Sequence, residues 1–311
     1  MNFIKKWYTY QKERFPVIVY SLYIFAILFA TFCICNYYGK INFENVMGSS
    51  SFDTYKINYL QMVPMFIVAF LQFLMVRIAD EFKDYEEDCK YRAYRPVPRG
   101  LVTLKELKIL FIMCVVFQII ITLKVNILGM IPLIIVWIFF AIMSKNFFIK
   151  KFLDKHILIE VLFDELLMPI MVIYLATFVH YNIPIYSMYS IVEIKYLWKF
   201  LLMSYIVSWI VEIARKVRCK EDEENGVKTY TAVFGIPKAV LILVSLETIL
   251  MIIHTLILGQ KYLFLTIGLY CVVNLFNLLF VLQKDRKSAK TVELCTNLYV
   301  MICYFSLGLL I

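Results

Sequence analysis

Apolar runs of about twenty residues recur along the whole of this 311-residue chain, with short charged loops between them. A run of that length matches the hydrocarbon thickness of a bilayer when it is wound as an α-helix. In that medium every backbone N–H and C=O must find its partner within the protein, so only helices and closed barrels can span it. These runs are too long for barrel strands. They fall near 16–38, 57–82, 104–123, 125–143, 157–179, 194–217, 238–258, 262–283 and 291–311, which predicts about nine spans. Only Lys124 and Asn126 divide the third from the fourth. Hydrophobic residues make up 62% of the chain, and mean hydropathy is +0.77. The expected architecture is all-α, a polytopic membrane bundle forming one domain over 1–311. The first run is too long for a cleavable signal, and Cys33, Cys35 and Asn36 near its end offer no small-residue cleavage site.

The basic residues orient the bundle. If the N-terminus is cytoplasmic, all of the 32 Lys and Arg except Lys40, Lys56, Lys124, Lys195, Lys199 and Lys261 lie on the cytoplasmic side. Cytoplasmic loops carry such an excess, so N-in and C-out is expected. The net charge of +9 then faces anionic headgroups and anionic substrates, with no need of nucleic acid.

The stretch Asp80–Gly100, DEFKDYEEDCKYRAYRPVPRG, follows the second run and carries six carboxylates in its first nine residues. Helical spacing puts Asp80, Asp84 and Asp88 on one face, with Glu81 beside Asp80 and Arg77 one turn earlier. Stacked carboxylates repel one another, and each costs roughly 2.5–3.5 kcal/mol at the bilayer centre. A divalent cation relieves both penalties. An all-oxygen set suits Mg²⁺, which takes one or two carboxylates and completes its shell with water and phosphate oxygens. The alternative is a solvated acidic helix end.

This segment resembles the UbiA superfamily of intramembrane prenyltransferases. That family has an NDxxDxxxD signature at the end of its second helix, then a basic Pro/Gly loop. Here the signature reads Asp80-Glu81-x-x-Asp84-x-x-x-Asp88, and the loop reads Arg95-Pro96-Val97-Pro98-Arg99-Gly100. Asp80 and Glu81 replace the family's Asn and Asp, and both remain oxygen ligands. A second constellation, Glu212–Gly235, resembles the family's later acidic element through Gly226, Thr229/Thr231 and Phe234-Gly235. That register puts Asp222 on its second acid and Arg218 on its first, so Glu212 or Glu221 would have to complete a second metal site. Lys150-Lys151 occupies the place of a basic element found in several relatives.

The resemblance implies a prenyl diphosphate donor whose diphosphate lies at the cytoplasmic mouth, between the two acidic helix ends. Asp80, Asp84, Asp88 and Asp222 would be catalytic. Mg²⁺ would be held by Asp80, Glu81, Asp84, Asp88, Glu212 and Asp222. Arg77, Arg95, Arg99, Lys150, Lys151, Arg215 and Lys216 would bind diphosphate. It also implies an apolar tunnel for the isoprenoid and a lipophilic or aromatic acceptor. The form of the motifs looks like a bacterial branch, which would place the protein in a bacterial cell membrane with its site facing the cytoplasm.

Glu160, Asp164 and Glu165 lie inside the fifth run, followed by Pro169. Ionisable groups within a span face a cavity or a partner. These would line the acceptor site, act as a base, or pair with basic residues of neighbouring spans. His156, His180 and His254 show no zinc spacing. No P-loop, dinucleotide fingerprint or nucleophile elbow occurs, which argues against an ATP-driven pump and against hydrolases of those types. Two rivals stand beside the transferase. One is an intramembrane terpene cyclase, in which the cation is quenched without an acceptor. The other is a transporter, which would place its key charges near mid-membrane.

Overall fold

The computed structural model describes residues 3–47, 58–153, 155–179, 194–224 and 226–311. Lys56 and His180 fall outside them. Among the described residues every regular element is helical, and eight helices are long and apolar enough to cross a membrane. The chain divides into two compact units, Met1–Lys150 with Ile173–Ile191, and Lys151–Val172 with Val192–Ile311.

The first unit opens on α1 (Phe3–Arg14), a helix that precedes the first predicted span. Phe15 and Pro16 separate it from α2 (Val17–Met47), whose apolar part runs Val17–Gly39. The helix α3 (Met62–Lys83) packs against α2 and against α5 (Leu104–Val125). Between α3 and α5 lie a short helix, α4 (Tyr85–Tyr91), and the Pro/Gly loop. Asn126 ends α5, and its side chain accepts from Leu128 N–H at 3.0 Å to start the turn into α6 (Met130–Ser144). The thin polar divide at Lys124 and Asn126 is therefore a real helix boundary. The same turn is tied to the later segment of the unit. Asn126 Nδ2 donates to Thr177 O at 2.7 Å, and a side chain on Gly129 would meet Thr177 Oγ1 at 2.9 Å.

The chain leaves α6 through Asn146, Phe147 and Phe148, which all have left-handed φ of 50–60°. It then forms α7 (Lys150–Leu153). The fifth predicted span is not one helix. It comprises α8 (Ile157–Asp164) and α9 (Leu167–Ala176). Pro169 has no N–H to give the Glu165 carbonyl, and its ring crowds that carbonyl in a continuous helix. The ladder tightens there from i→i+4 to i→i+3, with Leu166 N–H on Phe163 O and Met168 N–H on Glu165 O. This break is why eight long helices are found where about nine spans are predicted.

In the second unit α8 packs on α10 (Ile194–Arg215), and α10 packs on α12 (Ile236–Leu258) and α14 (Arg286–Leu310). A short helix, α11 (Tyr230–Phe234), lies on α12, and α13 (Leu263–Gln283) packs on α12 and α14. Polar groups join these helices where water cannot. Glu247 accepts from Asn277 Nδ2 at 2.7 Å and from Thr296 Oγ1 at 3.3 Å, and His254 bonds Ser306 at 2.8 Å.

Candidate active site

In the first unit the acidic stretch is a helix with a bend in it. Asp84 ends α3 and starts α4 with φ −96° and ψ 2°. The bend does not break the ladder. Asp84 N–H bonds Asp80 O at 2.9 Å, Asp88 N–H bonds Asp84 O at 2.8 Å, and Arg92 N–H bonds Asp88 O at 2.8 Å. Asp80, Asp84 and Asp88 therefore follow one another a turn apart, as their spacing predicts.

Their partners differ. Asp88 is 1% exposed and accepts from Arg95 Nη1 on both oxygens, at 2.6 and 2.8 Å, and from Arg92 Nη1 at 3.2 Å. Glu81 is 2% exposed, and one of its oxygens, Oε1, accepts from Arg14 Nε at 2.5 Å and from Arg77 Nη2 at 3.0 Å. Asp80 is more exposed and takes Arg77 Nη1 at 3.5 Å. Asp84 is half-buried and forms no ion pair among the described residues. Burial first, then the charges of Asp80 and Asp88, push its carboxyl up to about 6. The neighbouring Lys83 charge opposes that shift.

The loop that supplies Arg95 is held by its own apolar residues. Val97 and Val102 pack with Tyr10, Ile78 and Leu107 in a buried cluster. Leu101 N–H and Val102 N–H both return to Pro96 O, and Gly100 closes the turn with φ +76°, a conformation glycine adopts without strain. Arg99 is directed outward, onto Tyr94 O and Glu13 Oε1, each at 2.8 Å. Thr103 and Glu106 then form a reciprocal capping box that starts α5, and Glu106 also receives Lys6 of α1 at 2.5 Å.

The second constellation belongs to the second unit. Glu212, at the end of α10, is paired with Arg215 and with Lys216 at 2.6 Å. Burial lowers the Lys216 ammonium, but the Glu212 charge outweighs it and the net shift is upward. Asp222 sits in a 3₁₀ turn and takes Arg286 Nε at 3.1 Å, while Glu221 is exposed. Arg218 is held by its backbone N–H on Thr231 Oγ1 at 3.0 Å and by its guanidinium on Asp222 O at 3.3 Å. Glu223 carries the local order, receiving Thr229 Oγ1 at 2.6 Å and Thr231 Oγ1 at 2.7 Å. Thr229 also caps α11. Lys150 and Lys151 are exposed at the start of α7.

Glu81, Asp88 and Glu212, expected as metal ligands, are thus engaged by arginine and lysine. Among the described residues no group of three His, Cys, Asp or Glu side chains could hold a metal ion by itself. Sequence reasoning missed Arg14, Arg92, Glu223 and Arg286. Arg92 stands four residues after Asp88, and Glu223 precedes two threonines by six and eight residues, so local spacing could have found both. Arg14 and Arg286 reach acids 67 and 64 positions away, which no local pattern reports.

The model of the UbiA prenyltransferase family matches residues 48–299. The chain belongs to that family. Two solved structures share the UbiA fold over nearly their whole lengths. One, described as digeranylgeranylglyceryl phosphate synthase in membranes, is 18% identical, with a TM-score of 0.54 over 93% of this chain and 98% of that one. The other is an apo UbiA homolog from Aeropyrum pernix K1, 12% identical, with a TM-score of 0.60 over 90% of this chain and 96% of that one. At such identities they establish the fold. No curated protein matches the chain. UbiA membership and the apolar helices make this an integral, multi-pass membrane protein, and they support an intramembrane transferase of prenyl groups.

UbiA chemistry implies Mg²⁺, and Asp80 with Asp84 fits it. Mg²⁺ retains waters and takes one or two carboxylates beside substrate phosphate oxygens. A partly exposed carboxylate next to a half-buried one that is in no ion pair among the described residues meets that need, whereas a cage built wholly of protein ligands would not.

Proposed function

We propose that the protein is a Mg²⁺-dependent prenyltransferase that ionises a prenyl diphosphate at the Asp80–Asp84–Asp88 helix end and transfers the prenyl group to a lipophilic or aromatic acceptor. The observation that carries this reading is Asp84, a half-buried carboxylate among like charges at the end of a membrane helix, in no ion pair among the described residues. Asp80 and Asp84 would hold the metal. Bound Mg²⁺ supplies positive charge at the oxygens of the departing diphosphate.

The chain's own residues do the rest. Arg95 and Arg92 hold Asp88 in place through their ion pairs, so the helix end stays rigid while its neighbours bind phosphate. Arg77 offers a guanidinium with the planar fork that suits phosphoryl oxygens, whereas Arg99 is engaged by Tyr94 O and Glu13. The allylic C–O bond breaks with its electron pair leaving on diphosphate. An acceptor atom then bonds the allylic carbon and gives up its proton. The apolar helices keep water from the cation until that capture. Lys150, Lys151, Arg215, Lys216 and Asp222 are further candidates on this reading, each to be tested by removal of its charge. The distribution of Lys and Arg supports a cytoplasmic N-terminus and a site on the same side, in what would be a bacterial cell membrane.

Diphosphate release by the purified protein tests the proposal. Geranyl, farnesyl and geranylgeranyl diphosphate are supplied in turn, with and without Mg²⁺, in the presence of membrane extract as an acceptor source. Release that needs Mg²⁺ and is lost in Asp84→Ala is the expected result. Wild-type turnover by that variant would refute the reading. Release from donor alone, with a hydrocarbon or terpene alcohol as product, would mark a cyclase instead.

A further inference from the structure

The N-terminal helix α1 lies outside the residues matched to the UbiA family, yet its last turn enters the acidic site. Trp7, Tyr10 and Arg14 follow i, i+3, i+7 spacing and so form one stripe. Tyr10 is 2% exposed and packs against Ile78 of α3, with Trp7 edge-on to its ring at 5.8 Å. Arg14 and Arg77 converge on the same carboxylate oxygen of Glu81. Three further ties hold the stripe down: Lys6 to Glu106, Arg99 to Glu13, and the packing of Tyr10 against Val97 and Val102.

This clasp leaves polar atoms unsatisfied. Trp7 Nε1, Tyr10 Oη, Arg14 Nη2 and Arg77 Nε are all buried and find no hydrogen-bond partner among the described residues. Buried polar groups in folded proteins are almost always paired, so four orphans on this stripe and on the Arg77 it meets call for an occupant. The set is one-sided. Arginine and tryptophan nitrogens can only donate. Tyr10 is kept protonated by burial and by the Glu81 charge, so its hydroxyl also has a proton to give. Such a set fits a group with many lone pairs and no protons to place. The charges agree. Two guanidinium cations face one Glu81 carboxylate, and Asp80, which also takes Arg77, is a Mg²⁺ ligand in the proposed reaction.

We infer that α1 supplies a phosphoryl-binding wall to the site, in which Arg14, Tyr10 and Trp7 join Arg77 to receive phosphate oxygens. The phosphate comes from the donor diphosphate or from the headgroup of an anionic phospholipid, and the chemistry is the same. The inference deepens the proposed function and rests on it for the first of these sources.

The test must separate binding from the pairing of Glu81. Arg14→Gln alone leaves a buried carboxylate short of a partner and can simply destabilise the protein. Glu81→Gln is therefore the reference, and Arg14→Gln/Glu81→Gln the test, since neutral Glu81 no longer needs Arg14. Tyr10→Phe removes one hydroxyl and keeps the ring. Two probes are used on the full-length protein: inorganic diphosphate with Mg²⁺, by calorimetry in detergent, and thermal stability in phosphatidylcholine nanodiscs with and without phosphatidylglycerol. If the wall binds diphosphate, the double variant binds it about tenfold to hundredfold more weakly than Glu81→Gln at equal stability, and Tyr10→Phe loses about threefold to tenfold. If it binds lipid, phosphatidylglycerol stabilises Glu81→Gln but not the double variant. If neither probe distinguishes the two proteins, Arg14 serves only to neutralise Glu81 and the inference is overturned. Asp84→Ala tests the proposed reaction independently. Loss of turnover there, with no effect in the double variant, would retain the reaction and remove the wall. Arg14-dependent lipid stabilisation without any diphosphate binding would do the reverse.

Discussion

Arg95→Gln addresses whether Asp88 is a structural ion or a reacting one. Asp88 is almost wholly buried, and Arg95 meets both its oxygens through a single nitrogen at 2.6 and 2.8 Å. Removing one partner of a buried pair costs about 3–5 kcal/mol, because the remaining charge is stranded. Arg92 still reaches Asp88 at 3.2 Å, so the lower end applies. The expected loss is about 3 kcal/mol, on the order of 150-fold in the unfolding equilibrium. Reversible denaturant unfolding in mixed micelles measures it. Arg95→Gln/Asp88→Asn removes both charges and should recover most of the loss. Recovery of stability without recovery of Mg²⁺-dependent turnover would make Asp88 a participant in the chemistry as well as a strut. Full recovery of both would leave it a strut. If Arg95→Gln alone shifts stability by less than about 0.5 kcal/mol, which is the range of surface changes, the buried pair is not what holds this helix end.

Further expectations follow from the same geometry. Because the Asp84 carboxyl is raised to about 6, protons compete with the metal below that pH, and half-maximal activation should need more Mg²⁺ at pH 5.5 than at pH 7.5. Without Mg²⁺ the sign for stability is opposite. A carboxyl raised on folding favours the folded state as pH falls through about 6, so thermal stability in chelator should rise in wild type from pH 7.5 to 5.5 more than in Asp84→Asn. Glu223→Gln weakens the acceptor of two threonine hydroxyls and should cost about 1–2 kcal/mol, read by denaturant unfolding, with faster proteolysis between Cys219 and Thr229. Gly100→Ala meets no neighbour within 4 Å, so its cost of about 1 kcal/mol would be purely conformational, and calorimetry should find it in donor-free protein too.

Much of the first-unit site was legible because it is local. Asp80, Asp84, Asp88 and the Arg95–Gly100 loop lie within one short segment, and helical spacing with Pro/Gly punctuation fixes their order. Span positions were legible for the same reason, since a bilayer imposes one length on every run. Pairings between distant segments were not. Nothing near Glu81 announces that Arg14 will reach it, and the helical character of 3–14 emerges from packing Tyr10 onto Ile78 and Val97. The reading of Glu81 and Glu212 as metal ligands rested on the family motifs and on oxygen chemistry, neither of which reveals a guanidinium or ammonium arriving first. In the fifth span hydropathy counted residues, and a single missing N–H at Pro169 decided the backbone.

That missing N–H has a consequence for isotope labelling. A continuous membrane helix shields its amides from deuterium for days, since each is bonded and none meets water. Where α8 gives way to α9 the ladder is weakened, so the amides of Leu166, on a long bond of 3.3 Å to Phe163 O, and of Leu167 should label well before those of Val161 and Val172. A fast pair flanked by slow ones would mark this point as a joint in an otherwise sealed segment, and a ligand that seats there would silence it.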